Sequence, residues 1–572
     1  MARSAPPKST DAESGASEKK KAATGRAPGA VDRLDRWRRR LTRLPVEVYA
    51  LGGLALFTRL MWINRPHAIV FDEVYFRDDA LRYADGSYYF DPHPPLGKLI
   101  LAAWGQLIGI SATHSAPDCT ASATVKCPPV PPSSLDPAVA LRIVPALAGA
   151  ALIVVFYYFL RELGTGRKVA TLGAALLLLD NALTLESRLI LLDSMLLLWG
   201  FAAMTVYLRA RRATGRRHWV LLSVSALLAG MCASTKITGL CVLGVMGLIW
   251  FFTALEGRLS WRRWLPQIAV LTLVPFVFFF SIYQVHLALL PNSGDGDRFM
   301  SAEFQKTLKG SPTYDPSVSM GPIAKFKEMQ DATHNYEKAL KTSHHPYQSS
   351  WKSWPFEKRT VFYYLSGSDR KGKSKYEYLL GNPVVWWGAL VGAAATAIGW
   401  LMYPARFFPH RRRLAMLFVA WAGAYFPFMF IHRPMFLYHY FFPLIFSVAF
   451  AVYGIGILAG WVPEAAEEPE PAKPAKTPPS KRGTVTTAAS LMHRQPLKAR
   501  VLAFAGAPRS ITPLPAEAED DVWNFRSPVA AWLFWGILAL ALVTFLFFAP
   551  ITYGFPLSDS ALHHRMWIHT WR

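Results

Sequence analysis

Charge is scarce in this chain of 572 residues: Asp, Glu, Lys and Arg make up 17%, against 52% hydrophobic and 14% aromatic residues. A string of soluble domains would carry roughly a quarter of its residues charged, so that class is excluded. Cysteine is scarce too, with four in two pairs. Cys119 and Cys127 stand in a polar stretch and can close a small disulfide loop if that stretch faces an oxidising space, whereas Cys232 and Cys241 lie in an apolar run and serve packing. There is no nucleic-acid-binding motif and no Gly-rich dinucleotide-type loop that could hold a nucleotide sugar. The first apolar run also lacks a small-residue cleavage site, so it is expected to stay as a membrane span.

Long apolar runs are what the sequence has in quantity. Runs of about 17 to 25 residues match a hydrocarbon core roughly 30 Å thick, and they fall near 46–63, 139–160, 169–184, 189–208, 218–232, 238–255, 265–287, 383–403, 414–431, 437–461 and 529–549. The fold class is therefore an all-α polytopic membrane protein with about eleven transmembrane helices. Lys and Arg exceed Asp and Glu by 62 to 38, a net charge of +24. In a membrane protein this excess orients helices and touches anionic lipid rather than nucleic acid. The basic clusters RWRRRLTR, GTGRK, RARRATGRR, GRLSWRR and RFFPHRRR all fall on one side by parity, which makes that side cytoplasmic.

The same parity divides the chain. Residues 1–44 form a disordered basic cytoplasmic tail, and 45–289 an N-terminal transmembrane catalytic module with an outer loop at 64–138. Residues 290–382 form a second outer loop, and 383–461 the C-terminal transmembrane helices. Residues 462–527, opening on EEPEPAKPAKTPPSKRG, read as a disordered cytoplasmic insertion. Residues 528–572 hold the last span and an outer C-terminus. Within the first outer loop, Leu96 to Ile110 is apolar but too short to cross, and reads as an interfacial or re-entrant helix.

One stretch concentrates the acids: FDEVYFRDDALRYADGSYYFDPHPPLGK, Phe71 to Lys98. Asp72 and Glu73 follow the first span by about eight residues, which keeps a carboxylate near the outer membrane surface. Such a group can accept a proton from an incoming hydroxyl. An unperturbed Asp, with a pKa of about 3.9, is a weak base, so it suits a reaction in which the proton leaves late, as in glycosyl transfer through an oxocarbenium-like transition state. The competing reading makes the pair solvated loop charges. Ionisable residues recur at the outer ends of other spans: Arg142, Glu186, Arg188, Asp193, Lys236, His432, Arg433 and His439. Each charge near hydrocarbon costs a few kcal/mol unless paired or wet, so several on one side imply a shared polar cavity. Arg and Lys there suit a phosphate, although Lys236 can equally pair with Asp193.

Two further patterns carry less. GSDRKGKS, Gly367 to Ser374, fits the phosphate-loop spacing, but no parallel strand and helix frame it and topology puts it outside. His563, His564 and His569 lack a Cys or acid at ligand spacing, and with Trp567 and Trp571 they read as an interfacial anchor. No metal site is expected.

The stretches FDEVYF, DPHPPLGK, LRIVPALAG, ESRLILLDS, STKITGL, SWPF, LGNPVVWW and MFLYHYFFP run in order from Phe71 to Pro443. In them the chain resembles the protein O-mannosyltransferases of the bacterial type, within the GT-C class of membrane glycosyltransferases. The resemblance implies inverting transfer of mannose from polyprenyl phosphate mannose to Ser or Thr hydroxyls of exported polypeptides. The transfer would need no bound metal or other cofactor and would take place at the outer face of a bacterial plasma membrane, with the secretion translocon as a possible partner. By the same resemblance Asp72 is the catalytic base and Glu73 its support. Arg142 faces the donor phosphate or stabilises the site, and Lys236, Lys98, Arg188, His93 and His439 are further candidates for the donor phosphate. The 290–382 loop is too short for the carbohydrate-binding-like repeat domain of eukaryotic members. Two rival functions are another GT-C transferase acting on a glycolipid or lipid acceptor, and a lipid or solute transporter. A transporter should show inverted repeats, which are not visible.

Overall fold

The computed structural model describes residues 44–110, 137–255, 261–462 and 523–572. The tail at 1–43, the Cys119 and Cys127 loop and most of the 462–527 insertion lie outside the described residues. From Glu47 onward the chain forms one compact unit.

The first half holds α1 (Val46–Leu60), α2 (Glu73–Asp85), α3 (Leu96–Leu107), α4 (Pro137–Glu162), α5 (Arg167–Leu178), α6 (Asn181–Glu186), α7 (Asp193–Arg212), α8 (Gly215–Thr235), α9 (Leu240–Leu255) and α10 (Trp261–Leu289). Next come α11 (Pro322–Ala339) and a hairpin of β1 (Val361–Leu365) and β2 (Ser374–Leu379). The second half adds α12 (Pro383–Met402), α13 (Arg411–Tyr425), α14 (Phe441–Leu458), α15 (Pro528–Thr552) and the short β3 (Pro556–Leu557), which pairs with β2. The bundle is built on α7 against α4 and α8, α8 against α10, and α14 against α12 and α13. Small residues allow the closest approach: a side chain on Gly454 of α14 would collide with Thr396 of α12, and one on Gly392 with Ala451. This is the means by which membrane helices pack without a hydrophobic driving force between them.

Among the described residues eight helices are long and apolar enough to cross a membrane, so the chain is a multi-pass membrane protein. The other three expected spans fall short by that measure. At 1.5 Å per residue, the 15 residues of α1 reach roughly 22 Å and the 12 of α5 roughly 18 Å. The expected 169–184 span is interrupted because Asp180 caps a new helix, accepting from the Leu183 N–H at 2.8 Å. Helix α7 has 20 residues but carries Asp193 at its start and Arg209, Arg211 and Arg212 at its end.

The same Asp180 explains LGNPVVWW. Its other carboxylate oxygen accepts from the Asn382 N–H at 3.0 Å and the Trp386 indole at 2.9 Å. The Asn382 amide donates to Leu179 O at 2.8 Å and Ala541 O at 2.9 Å. Buried polar groups fully satisfied in this way tie α5, α12 and α15 together. GSDRKGKS forms the turn of the β1–β2 hairpin: Asp369 accepts from the Lys371 and Lys373 N–H groups, each at 2.8 Å, and Gly372 takes φ 69°. Trp571, expected at an interface, is instead fully buried, donating to Glu357 O at 2.6 Å. Trp567 is half exposed.

Candidate functional site

The ends of helices that meet around Asp72 are the same ends that parity groups together: the C-termini of α1 and α8, and the N-termini of α4, α7 and α14. Two buried guanidiniums shape the connection from α1 to α2. Arg188 donates to the carbonyls of Met61 and Trp62, the latter at 2.7 Å, and lies 4.4 Å over the Tyr553 ring. Arg142 donates to Pro66 O at 2.7 Å and Ala68 O at 2.9 Å. It then closes a two-toothed ion pair with Glu73, both contacts at 2.7 Å. Glu73 also accepts from the Val70 N–H at 3.0 Å and the Ile190 N–H at 2.8 Å, and is fully buried. Breaking such a pair by removing one partner typically costs about 3–5 kcal/mol.

Asp72 sits one residue earlier and does the opposite. It occupies the N-cap of α2 with helical backbone angles, φ −73° and ψ −3°, and its side chain makes no capping hydrogen bond. The carboxyl is half-buried and lies within electrostatic reach of Lys236, Asp193 and Asp91. Burial pushes its pKa up to about 6, with Asp193 and Asp91 adding and Lys236 opposing. Neutral pH thus finds a carboxylate that is a better base than a solvated Asp.

The groups around Asp72 come from distant parts of the chain. Lys236, in extended backbone between α8 and α9, reaches Asp193 at 2.6 Å and lies 5.1 Å from the Tyr438 ring. His439 stacks on Tyr438 at 4.7 Å and on Trp354 at 5.9 Å, and its Nδ1 contacts the Phe436 backbone. Glu186 accepts from the Tyr363 hydroxyl. Burial lifts Glu186 well above the ordinary carboxyl range, Asp193 and Asp72 adding to it while Tyr363 and Lys236 oppose. Phe71 stacks on Tyr363 at 4.3 Å, with φ 52° bringing its ring to that side.

DPHPPLGK builds the floor. Lys98 lies 3.1 Å from Asp91 and 3.8 Å from Asp79, donates to His93 O at 3.1 Å, and is fully buried. Burial raises Asp79 well above its usual value, while Lys98 and His93 hold Asp91 low against its own burial. Burial chiefly, with Lys236, Lys98 and Arg433 helping, pushes His93 down to about 3, so its imidazole is neutral. Asp79 is therefore part of the floor. Asp78 is a surface charge, paired with Arg77 at 2.7 Å.

Among the residues expected at a donor phosphate, Lys236, His93 and His439 lie within electrostatic reach of one another. Lys98 is engaged in the floor. Arg142 donates to backbone carbonyls and Glu73 and Arg188 to backbone carbonyls, so of the two roles open to Arg142 these contacts fit stabilisation of the site. Tyr363, Tyr438 and the partners of Arg433 were not legible, because they arrive from the 290–382 loop and the turn before α14. Among the described residues no group of three His, Cys, Asp or Glu side chains converges as metal ligands would.

The multi-pass helical bundle has the fold of the GT-C glycosyltransferases. The S. cerevisiae protein O-mannosyltransferase Pmt1-Pmt2 complex bound to the sugar donor superimposes with a TM-score of 0.71 over 92% of both chains, at 18% identity. Residues 49–291 match the family model for dolichyl-phosphate-mannose-protein mannosyltransferase, and 322–477 that for the C-terminal four TMM region of protein-O-mannosyltransferase. This chain belongs to the protein O-mannosyltransferase family. Dolichyl-phosphate-mannose--protein mannosyltransferase 4 of Candida albicans is 30% identical over 45% of this chain and 35% of that protein. Protein O-mannosyl-transferase 1 of Mus musculus is 33% identical over 46% of this chain and 36% of that protein. The matched part thus spans about a third of the length of these curated relatives.

Proposed function

We propose that this protein transfers mannose from polyprenyl phosphate mannose to Ser or Thr hydroxyls of exported polypeptides, at the outer face of a bacterial plasma membrane. The observation that carries the reading is the uncommitted Asp72 carboxyl, half-buried opposite Lys236 and one residue from a fully paired Glu73. The acceptor oxygen attacks C1 of mannose while its proton passes to Asp72. The bond from C1 to the phosphate oxygen breaks, its electron pair leaves with the phosphate, and the configuration at C1 inverts. Lys236, with the neutral His93 and His439 beside it, is placed to stabilise the leaving phosphate. Glu73, Arg142 and Arg188 act by holding the 59–73 connection, hence Asp72, in position. This chemistry calls on no metal or other cofactor. Delivery of acceptors at the secretion translocon fits a site that opens on the outer face.

The test is to incubate the purified protein with polyprenyl phosphate mannose and a Thr-rich peptide. A mannosyl peptide of inverted configuration is expected; mannose appearing only on lipid, or nowhere, overturns the reading.

A further inference from the structure

Helix α11 crosses the site from a root on α10. At its start the Pro322 carbonyl accepts from Gln284 at 3.3 Å, and Phe326 packs on Phe280 and Tyr283 at 5.1 and 5.3 Å. At its far end two consecutive residues touch opposite walls. Tyr336 meets Phe90, next to the floor residue Asp91, at 5.8 Å. Glu337 pairs with Arg433, on the turn before α14, at 2.7 Å. The chain then stays on that turn, with the Ser349 N–H donating to Met435 O at 2.8 Å.

Arg433 lies within electrostatic reach of His93, Tyr438 and His439, the same three groups that lie near Lys236. Two cations thus bracket one spot opposite Asp72. They differ in their counter-ions. The partner of Lys236 is Asp193, fixed in the bundle and nearly buried; the partner of Arg433 is Glu337, a third exposed on a loop helix. A partly exposed ion pair of this kind is weak, at about 0–1 kcal/mol. A phosphate group competes with it, and the planar guanidinium is well shaped to take two of its oxygens.

We propose that Glu337 and a lipid-linked phosphate compete for Arg433: the ion pair straps α11 to the turn before α14, and an entering prenyl phosphate displaces Glu337 and releases the strap. The idea rests on the reading above that the site takes a prenyl phosphate sugar. Arg433 is then a donor-binding residue, and Glu337 a positioning residue that sets how readily the donor enters.

The probe is polyprenyl phosphate, titrated into the full-length protein in nanodiscs with binding followed by intrinsic tryptophan fluorescence. Removing a weak competing pair by E337Q should tighten binding roughly three- to fivefold. R433A should weaken it by about tenfold or more, with R433K intermediate. The double variant should match R433A, because Glu337 competes only where Arg433 is present. Melting temperatures verify folding, and R433K, which keeps the charge, serves if R433A does not fold. An unchanged or weaker affinity in E337Q overturns the strap, as does R433A equal to wild type. Inorganic phosphate and phosphatidylglycerol are titrated in parallel; the same order of affinities with either of these but not with the prenyl phosphate overturns the lipid-linked source. If wild type forms no mannosyl peptide yet shows the predicted order, the transferase reading fails and the strap stands. If peptide is mannosylated while E337Q and wild type bind alike, the strap alone fails.

Discussion

Behind the first turn of α2, Glu73 is held by Arg142 and by two backbone N–H groups. In front of that turn, Asp72 makes no capping bond and lies within electrostatic reach of Lys236 and Asp193. Two acids adjacent in sequence and alike in chemistry are thus divided between scaffold and cavity. The division follows from geometry: successive residues at a helix start point about 100° apart, so one side chain turns into the bundle while its neighbour turns out of it. The buried pair holds the connection rigid, and rigidity is what lets an isolated carboxylate stay half-desolvated and basic.

The sharpest way to break the comparison is to exchange the roles. Asp72→Asn should lower peptide mannosylation by about 10²–10⁴-fold, the usual worth of a general base, with the melting temperature unchanged. A rate within a few-fold of wild type would remove Asp72 from the mechanism. Arg142→Met should do the reverse and first cost stability, about 3–5 kcal/mol for a charge left buried without its partner, visible as a lower melting temperature and yield. A variant that melts like wild type would mean that the scaffold lies elsewhere.

A smaller effect sharpens the electrostatics. Because the raised pKa of Asp72 is about 6, the active carboxylate is present above that pH, and kcat/KM should fall as pH drops through it. Lys236 lowers that pKa, so Lys236→Met should move the acid limb to higher pH, besides weakening donor use. A limb that moves down, or stays, contradicts the assigned pairing. The smallest expected effect is none: treatment with a chelator should leave the rate unchanged, and a loss restored by a divalent cation would show that the cations of the site do not suffice.

Much of the fold was legible because membrane spans announce themselves by length and apolarity, as the eight long helices do. Their count was less legible. A run of apolar residues does not show that Asp180 stops α5 and starts α6, since a single capping carboxylate looks like any other polar interruption. The site was legible in part. Asp72, Lys236 and Asp193 stand at helix ends that parity brings together, and the family motifs rank the first of them. Sequence reports the charge of Arg188 and Lys98 but not where their donors go, to the Met61 and Trp62 carbonyls and to Asp91 and the His93 carbonyl. Tyr363 meets Glu186, Tyr438 meets Lys236 and Glu337 meets Arg433 across long stretches of chain, so no local pattern joins them.

By itself the sequence determined that the chain is a membrane-embedded bundle, that its acids gather after the first span, and that it resembles the mannosyltransferases, because hydropathy, charge bias and motif order are written along the chain. Only the tertiary structure decided which of two neighbouring acids is free. That depends on where Arg142, Val70 and Ile190 place their donors around Glu73, and leave Asp72 without one.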